Sequence, residues 1–418
     1  MEPWQEAADA MLCRDWFAAA AAASRLRSLP DYEQHHGPML ADLSALLPRG
    51  PFAKAWFGRD FVGHADAITA VAALRDEPVA ISAGVDGTIR LWHLDDGACV
   101  RVLRGHESTI VTLHLPLEGR TLLSLDSGGL LIQWDLVSGQ EVRRHKTPAW
   151  MLDGTPDGRL MLWAGPIGIT VVQIDSGRHL RTLHTSCAAI SISPDGRRAA
   201  TATTDGFIRL WSVATGSHLY TLGGPVPPVR SMRFAGDGQG VMVGCEDGSV
   251  RLCDPQGRKE IRVLSGHTSP VTGLCSSADG QAMASGDASP CVRVWDLRSG
   301  TAVANLLGTP GWGRVLAMSP LGDRLIAGGE DGVLRLWHLD WHVEGRREDD
   351  WDEKALPCVE WYLATWPRPR HDWNDDYYDR LLAELRLRGY GHVSRDLLMQ
   401  VMHEVIRARQ RLSQLRSS

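Results

Sequence analysis

The sequence predicts a mainly β protein made of seven similar four-stranded units, with helical segments before and after them. The first observation is repetition. The strings at 86–92, 205–211 and 331–337 are near copies of one pattern, Asp-Gly followed by a β-prone run that ends Arg-Leu-Trp. The second is composition, because the chain has 43 Gly and 16 Trp but only 6 Phe and 6 Tyr. One tryptophan and several turn glycines per repeated unit would account for that imbalance.

The spacing of the pattern sets the number of units. The residues that close it lie at 92, 134, 211, 253, 295 and 337, with Cys253 in the tryptophan place. Four of the gaps are 42 residues and one, between 134 and 211, is 77. The long gap therefore contains one degenerate unit, which we assign to Ile169–Val172 and the Asp175-Ser-Gly177 turn that follows. The result is seven units of about 40 residues, a period typical of repeat architectures.

Each unit is predicted to consist of strands. In the first unit, short β-prone runs occupy 68–74, 79–83, 88–94 and 99–103. Turn residues separate them, namely Asp86-Gly87, Asp95-Asp96-Gly97 and Gly105-His106. Such short runs bounded by Gly and Asp indicate four antiparallel strands.

Four strands per unit, with Gly-His before the first and Trp at the end of the third, resemble the WD-repeat β-propeller family over roughly residues 52–341. The resemblance implies a seven-bladed WD-repeat β-propeller. The last unit has no fourth strand after Trp337, whereas an orphan strand at 54–61 precedes the first unit. Because an open ring leaves an unpaired strand edge, we expect this N-terminal strand to complete the seventh blade and close the propeller.

The resemblance also implies a hydrogen-bonded set of His, Ser or Thr, Asp and Trp inside each blade. By position, the two fullest structural tetrads are His64, Ser82, Asp86 and Trp92 in blade one, and His184, Thr201, Asp205 and Trp211 in blade four. Blade two has Gly128 in the Asp place, with Asp126 as a substitute. A catalytic triad is the alternative interpretation. Recurrence favours a structural network, because an enzyme needs one site and buried polar groups need partners.

Positions that vary while the frame repeats are the candidates for partner binding. In the family, partners dock on the face that carries the loop before the first strand and the turn between the second and third. The residues of this chain that stand out there are Trp150, Trp312, Arg230, Arg314, Glu246 and Glu330. Trp and Arg are enriched in binding hot spots. The two tryptophans lie in degenerate blades, so the alternative that they only fill space left by a missing His and Ser stays open.

The chain ends have helical composition, and we predict three regions: a helical extension at 1–50, the propeller at 52–341, and an acidic linker with a helical appendage at 342–418. Helices are expected at 4–12, 15–29, 39–47, 355–365, 375–388 and 394–416. The N-terminal part is similar to one tetratricopeptide hairpin. The C-terminal part resembles an appendage of many bacterial WD-repeat proteins, with matching pieces at 339–341, 350–353, 373–377 and 389–391.

The net charge and the lack of known catalytic motifs argue against several classes of function. The net charge is −6, which argues against binding nucleic acid through a global basic field; the arginine-rich end of the last helix keeps a nucleic-acid interpretation as a third alternative. We find no kinase, zinc or phosphate-loop motif, no paired cysteines and no membrane span, and therefore expect no metal or cofactor and a cytoplasmic location. The resemblance implies a non-enzymatic scaffold or sensor in bacterial cytoplasmic signalling or regulated assembly that binds a protein or peptide on one propeller face. The alternative is a propeller enzyme or small-ligand sensor that uses the channel mouth.

Overall fold

The computed structural model describes residues 16–27, 49–75, 77–116, 119–185, 187–203, 206–222, 226–256, 259–289, 291–308, 312–343, 359, 375–386 and 393–402. The chain divides into two compact units. One is Ala55–Leu339, and the other combines Met1–Lys54 with Asp340–Ser418. The division into three regions made from the sequence stays a prediction.

Seven four-stranded antiparallel sheets form the blades. Blade one contains β2 (Ile68–Ala73), β3 (Val79–Gly84), β4 (Thr88–His93) and β5 (Cys99–Arg104); blade two contains β6 (Ile110–His114), β7 (Thr121–Asp126), β8 (Leu130–Asp135) and β9 (Glu141–Lys146). Blade three contains β10 (Met151–Gly154), β11 (Leu160–Gly165), β12 (Gly168–Gln173) and β13 (His179–Leu183); blade four contains β14 (Ala189–Ile192), β15 (Arg198–Ala202), β16 (Ile208–Ser212) and β17 (His218–Leu222). Blade five contains β18 (Val229–Phe234), β19 (Val241–Cys245), β20 (Val250–Asp254) and β21 (Lys259–Leu264); blade six contains β22 (Gly273–Ser276), β23 (Ala282–Gly286), β24 (Cys291–Asp296) and β25 (Thr301–Leu307).

The seventh blade is completed from the other end of the chain, which confirms the predicted closure. Its strands follow the order β1 (Arg49–Val62), β28 (Val333–Val343), β27 (Arg324–Gly328) and β26 (Val315–Met318). The closing strand starts at Arg49, earlier than the sequence predicted, and enters the segment expected to be helical. The physical reason is its partner: β28 continues past Trp337 to Val343 and so offers a longer edge for pairing.

The blades are held together around the ring by their inner strands and by apolar layers between them. The first strands β2, β6, β10, β14, β18, β22 and β26 contact one another in a complete cycle. Separate apolar clusters fill the interfaces from blade seven–one through blade five–six. The second strands are buried on both faces, which explains why most of their residues are apolar. The degenerate run at 169–172 lies in β12, as the spacing predicts.

The terminal unit has its own core. Helix α1 (Trp16–Leu26) buries Ala22, Ala23 and Leu26. Beyond its end, Arg27 donates two hydrogen bonds to the Asp340 carboxylate, at 2.7 and 2.8 Å, and a third to the Trp341 carbonyl at 2.6 Å. Both charged side chains are nearly buried, so this bidentate pair joins the two ends of the chain within one unit.

The described C-terminal residues are also helical. Helix α2 (Asp375–Arg386) buries Tyr378, Leu381 and Leu385, and residues 395–402 form a further helical stretch. The helices predicted at 4–12 and 39–47, and the one at 355–365 except Val359, lie outside the described residues. Among the helices described, none is long and apolar enough to cross a membrane.

Candidate functional site

A hydrogen-bonded chain runs through blade one. The Trp92 indole donates to Ser82 Oγ at 2.8 Å, and Ser82 Oγ lies 2.7 Å from His64 Nε2. His64 Nδ1 lies 2.9 Å from Asp86 Oδ2, and the Thr88 hydroxyl donates to the other carboxylate oxygen at 2.8 Å. If every donor is used once, the protons point one way, from indole to hydroxyl to imidazole to carboxylate. Every polar group of this chain therefore has a hydrogen-bond partner.

Blade two contains the same chain with a shifted acid, and blade six contains it as far as the imidazole, since His267 Nδ1 has no hydrogen-bond partner among the described residues. In both, an indole donates to a serine at 2.7–2.8 Å and the serine lies 2.7 Å from an imidazole. The carboxylates beside the imidazoles are Asp126, at 3.0 Å from His106, and Asp287, at 3.3 Å from His267. Both come from the end of the second strand, where most blades have a small residue. Asp126 thus takes the place that Gly128 leaves empty.

Blade four forms only half of the tetrad predicted for it. The Trp211 indole donates to Thr201 Oγ1 at 3.0 Å. His184, however, is exposed and is not hydrogen-bonded to Thr201. The prediction that His184 belongs to the tetrad is therefore wrong, because the linker that carries His184 places it outside the blade. Asp205 lies outside the described residues.

The Gly-His pair that opens a blade has a packing reason. A Cβ at Gly63 would lie 2.9 Å from the Trp92 ring, and a Cβ at Gly105 would lie 2.9 Å from the Trp134 ring. Only glycine lets the anchor indole cover the loop that presents the histidine. The Gly-His dipeptide and the tryptophan of the third strand therefore pack as one unit.

The tetrads cannot act as nucleophilic triads in this fold. The Ser82, Ser124 and Ser285 side chains are completely buried, and each hydroxyl oxygen is already bound by an indole and an imidazole. Burial lowers the pKa of His64, His106 and His267 despite the neighbouring carboxylates. Burial opposes ionisation of Asp86, but hydrogen bonds from Thr88, Ala65 and His64 hold its pKa at about 2. In blade one, a neutral imidazole therefore lies beside an ionised carboxylate, and a substrate cannot reach the serine hydroxyl.

These shifts predict loss of stability in weak acid. Unfolded histidines titrate near pH 6.5, whereas the folded pKa of the three tetrad histidines is lower. Between the two values the unfolded chain binds more protons, so stability falls as the pH drops below about 6.5. We expect the thermal unfolding midpoint to be lower at pH 5.5 than at pH 7.5.

Two histidine variants test whether the buried tetrad histidines cause this pH dependence. His106→Gln removes a titrating group from the interior, so its midpoint should depend less on pH than that of the parent, whatever its absolute stability. His184→Gln changes the exposed histidine and should leave the pH dependence unchanged. Parallel pH curves for His106→Gln and the parent would contradict the assignment.

Two ion pairs occupy the face suggested for partner binding. Arg230 Nη2 lies 2.9 Å from Glu246 Oε1 in blade five, and Arg314 Nη1 lies 2.7 Å from Glu330 Oε1 in blade seven. All four side chains are about half exposed. The structure thus brings these predicted residues together as matched pairs at equivalent positions of two blades. Surface pairs of this kind contribute little stability, roughly 0–1 kcal/mol, so a partner can rearrange them at small cost.

The structure describes the side chain of Trp150 but not that of Trp312. Trp150 immediately precedes β10, donates its amide hydrogen to the Ala164 carbonyl at 3.1 Å, and is 50% exposed. An indole exposed to that degree does not plug a gap in the blade. Trp312 is the first residue of a short 3₁₀ turn, Trp312–Arg314, and its side chain lies outside the described residues.

Sequence reasoning missed a buried carboxylate between blades. Asp153 in β10 lies 3.1 Å from His114 Nδ1 of blade two through one oxygen, and its other oxygen accepts the Ile192 amide of blade four at 2.8 Å. Burial opposes its ionisation, but His114, the charge of Arg233 and the Ile192 amide outweigh it and lower the pKa of Asp153. A signal existed, since an acid interrupts a first strand that is otherwise apolar.

Nothing in the described part of the chain forms a metal site, because no three His, Cys, Asp or Glu side chains there lie close enough together. The six described cysteines are free thiols. Burial raises the pKa of the Cys187 and Cys275 thiols to about 12, which leaves both protonated and poorly nucleophilic near neutral pH.

Comparison with known proteins agrees with this geometry. Residues 57–93, 177–212, 216–254, 258–296 and 303–338 match the WD40 family, described as WD domain, G-beta repeat. The chain carries WD40 repeats. Four of the matches join the fourth strand of one blade to the first three strands of the next, and the match at 57–93 joins the closing strand to blade one. Each WD40 repeat thereby spans two blades, which ties the ring together. Blades two and three of this WD40 propeller are unmatched in their first three strands.

Several curated relatives are mammalian. The chain is 26% identical over 160 residues to the human Angio-associated migratory cell protein, a match that covers 35% of each chain. It is 26% identical over 172 residues to bovine Pre-mRNA-processing factor 19, which covers 41% of this chain and 28% of the relative. It is 28% identical over 140 residues to mouse Transducin beta-like protein 3, covering 34% of this chain and 14% of the relative. The WD40 propeller therefore matches about a third or less of the length of these relatives.

Proposed function

We propose that this WD40 propeller is a non-enzymatic scaffold or sensor that binds a protein or peptide on the face carrying the linkers into the first strands. The observation that carries the proposal is Trp150, which stands half exposed on that face of an otherwise well-packed blade. A rigid indole with free surface is the residue type most enriched at protein-binding hot spots. The ion pairs of Arg230 and Arg314 supply a polar rim on the same face.

An enzyme or small-ligand sensor at the channel mouth is the weaker alternative. Its four candidate residues, Arg230, Glu246, Arg314 and Glu330, are neutralised in pairs. Asp153 has a shifted pKa on an inner strand, but both its oxygens are used between blades. The four charged residues are thus paired with each other, and the Asp153 carboxylate is hydrogen-bonded between blades.

The setting of the scaffold is also part of the proposal. A role in bacterial cytoplasmic signalling or regulated assembly is supported by the C-terminal resemblance. The net charge of −6 supports a protein partner rather than a nucleic acid.

Affinity purification from the native cell tests the function. The tagged full chain should recover a stoichiometric protein partner, and Trp150→Ala should reduce that recovery by at least about tenfold because a hot-spot side chain is lost. Combining it with Trp312→Ala should reduce recovery further.

A matched control removes another exposed apolar side chain. Val137→Ala alters a residue that is 72% exposed in the turn between the third and fourth strands, at the opposite end of the blade. It should leave recovery unchanged. Full recovery with a correctly folded Trp150→Ala variant, or equal loss with Val137→Ala, would refute the proposed face.

A further inference from the structure

The last residue of β9 and the linker that follows it into blade three present three side chains on one side. Along 146–150 exposure alternates: Thr147 and Ala149 are buried, whereas Lys146, Pro148 and Trp150 are exposed. The Thr147 amide donates to the Gly129 carbonyl at 2.7 Å, and its hydroxyl donates to the same oxygen at 3.1 Å. Because alternate residues of an extended segment share a side, the three exposed side chains are held outward by a fixed backbone.

The neighbouring turn of blade three adds apolar surface. Between β11 and β12 this blade has Pro166 and Ile167 where the repeat has Asp-Gly, and Ile167 is 68% exposed. The linker lies against this turn, since a Cβ at Gly165 would be 3.4 Å from the Pro148 carbonyl oxygen. Linker and turn together form one surface, the blade-3 patch, defined by Lys146, Pro148, Trp150, Pro166 and Ile167.

The turn before the third strand carries no aspartate in blades two and three. Blades one, five and seven each place an aspartate in the turn, at Asp86, Asp247 and Asp331, whereas blades two, three and six have Gly128, Pro166 and Ser289 there. Lys146 is exposed, its ammonium would lie 3.5 Å from a Cβ at Gly128, and it forms no ion pair with the described residues. Asp126, which borders the same glycine, is bound by His106 and the Leu130 amide.

We propose that the blade-3 patch binds a protein segment that places an aromatic or aliphatic side chain against Trp150 and a carboxylate against Lys146. Apolar surface around Trp150 supplies the anchor, and the uncompensated ammonium selects an acidic neighbour. The arginines of blades five and seven already have carboxylate partners, whereas Lys146, at the end of β9 and next to blade three, has none among the described residues. This inference rests on the proposed function and names the partner chemistry for one sector of that face.

Peptide selection on the full chain tests it. A phage-displayed library of random dodecapeptides is selected on the immobilised protein, and the most enriched sequence is synthesised with a fluorescent label for anisotropy titration. We expect an apolar residue next to Asp or Glu. Trp150→Ala should weaken binding by at least about tenfold, the effect of a hot-spot side chain.

A charge swap makes the test specific. Lys146→Glu should weaken binding by about fivefold or more, and a peptide with Lys in place of its acid should bind Lys146→Glu better than the parent protein. Val137→Ala is the control and should bind like the parent. The inference is overturned if no peptide is enriched, or if Trp150→Ala and Lys146→Glu both stay within about twofold of the parent. Loss of binding only in Arg230→Met or Arg314→Met overturns the blade-3 patch but leaves the proposed function standing.

Discussion

Replacing Phe61 by alanine should lower the free energy of unfolding by about 3–5 kcal/mol, the usual cost of removing a buried phenylalanine. Phe61 lies on the closing strand β1 and is 2% exposed. Its ring packs 5.7 Å from that of Trp92, in an apolar cluster with Ile68 of blade one and Leu334 of blade seven. The cavity would therefore open where the two ends of the propeller meet.

The same strand provides the matched control. Phe57 is 46% exposed and touches Trp337 edge to face, with ring centroids 5.6 Å apart. Phe57→Ala should cost only about 1 kcal/mol, the worth of one partly exposed aromatic contact. Urea unfolding followed by tryptophan fluorescence measures both changes. Equal effects of the two substitutions would show that burial against blade one does not stabilise the closure.

A weakened closure has a second consequence. A strand edge that loses its partner exposes unpaired backbone groups that can pair with another molecule. Phe61→Ala should therefore increase aggregation at the unfolding midpoint, as measured by light scattering, and Phe57→Ala should not.

Replacing Asp153 by alanine should cost about 1–3 kcal/mol, because the buried partners of its carboxylate are left unsatisfied. The substitution removes the carboxylate contact of His114 in blade two and the acceptor of the Ile192 amide in blade four. A single carboxylate thus holds three consecutive blades. Blade three has lost the internal tetrad, and this contact between blades takes over part of its role.

Asp153→Asn and a surface aspartate refine that measurement. The amide oxygen of Asn can still accept the Ile192 hydrogen, so the loss should be smaller than with alanine. The pKa of Asp153 is lowered in the fold, so its contribution is present above the unfolded value of about 3.9 and is lost as the pH falls through the folded value. Asp153→Asn should therefore flatten the stability curve in that acid range. Asp157→Asn, in a more exposed turn, should cost less than about 1 kcal/mol. A similar cost for Asp153→Ala would contradict the role of Asp153 in joining blades two, three and four.

Much of the fold was predictable because its signals are local and repeated. The spacing of Trp92, Trp211 and Trp337 established the period, and the missing fourth strand of the last unit indicated closure by residues near 54–61. Those inferences need only strand chemistry and the cost of an open edge. The extent of β1 was not predictable, since it depends on how far β28 continues as a partner.

The candidate site was predictable only in part. Sequence position identified Trp150 and the residues Arg230, Glu246, Arg314 and Glu330. That the charged residues would neutralise each other in two pairs could not be read from the sequence, because a distance of 16 residues along the chain says nothing about side-chain direction. His184 fitted the tetrad by position, yet its linker keeps it outside the blade.

The sequence by itself determined the number of blades, the way the ring closes and the face on which variation concentrates, because a repeated pattern constrains each unit in the same way. Only the tertiary structure decided which exceptions matter. Asp153 joins three blades, and Lys146 and Trp150 point outward because Thr147 and Ala149 point inward. Such roles depend on contacts between units, which a repeat period cannot encode. Most of the described tryptophans therefore pack within the propeller, whereas Trp150 is half exposed.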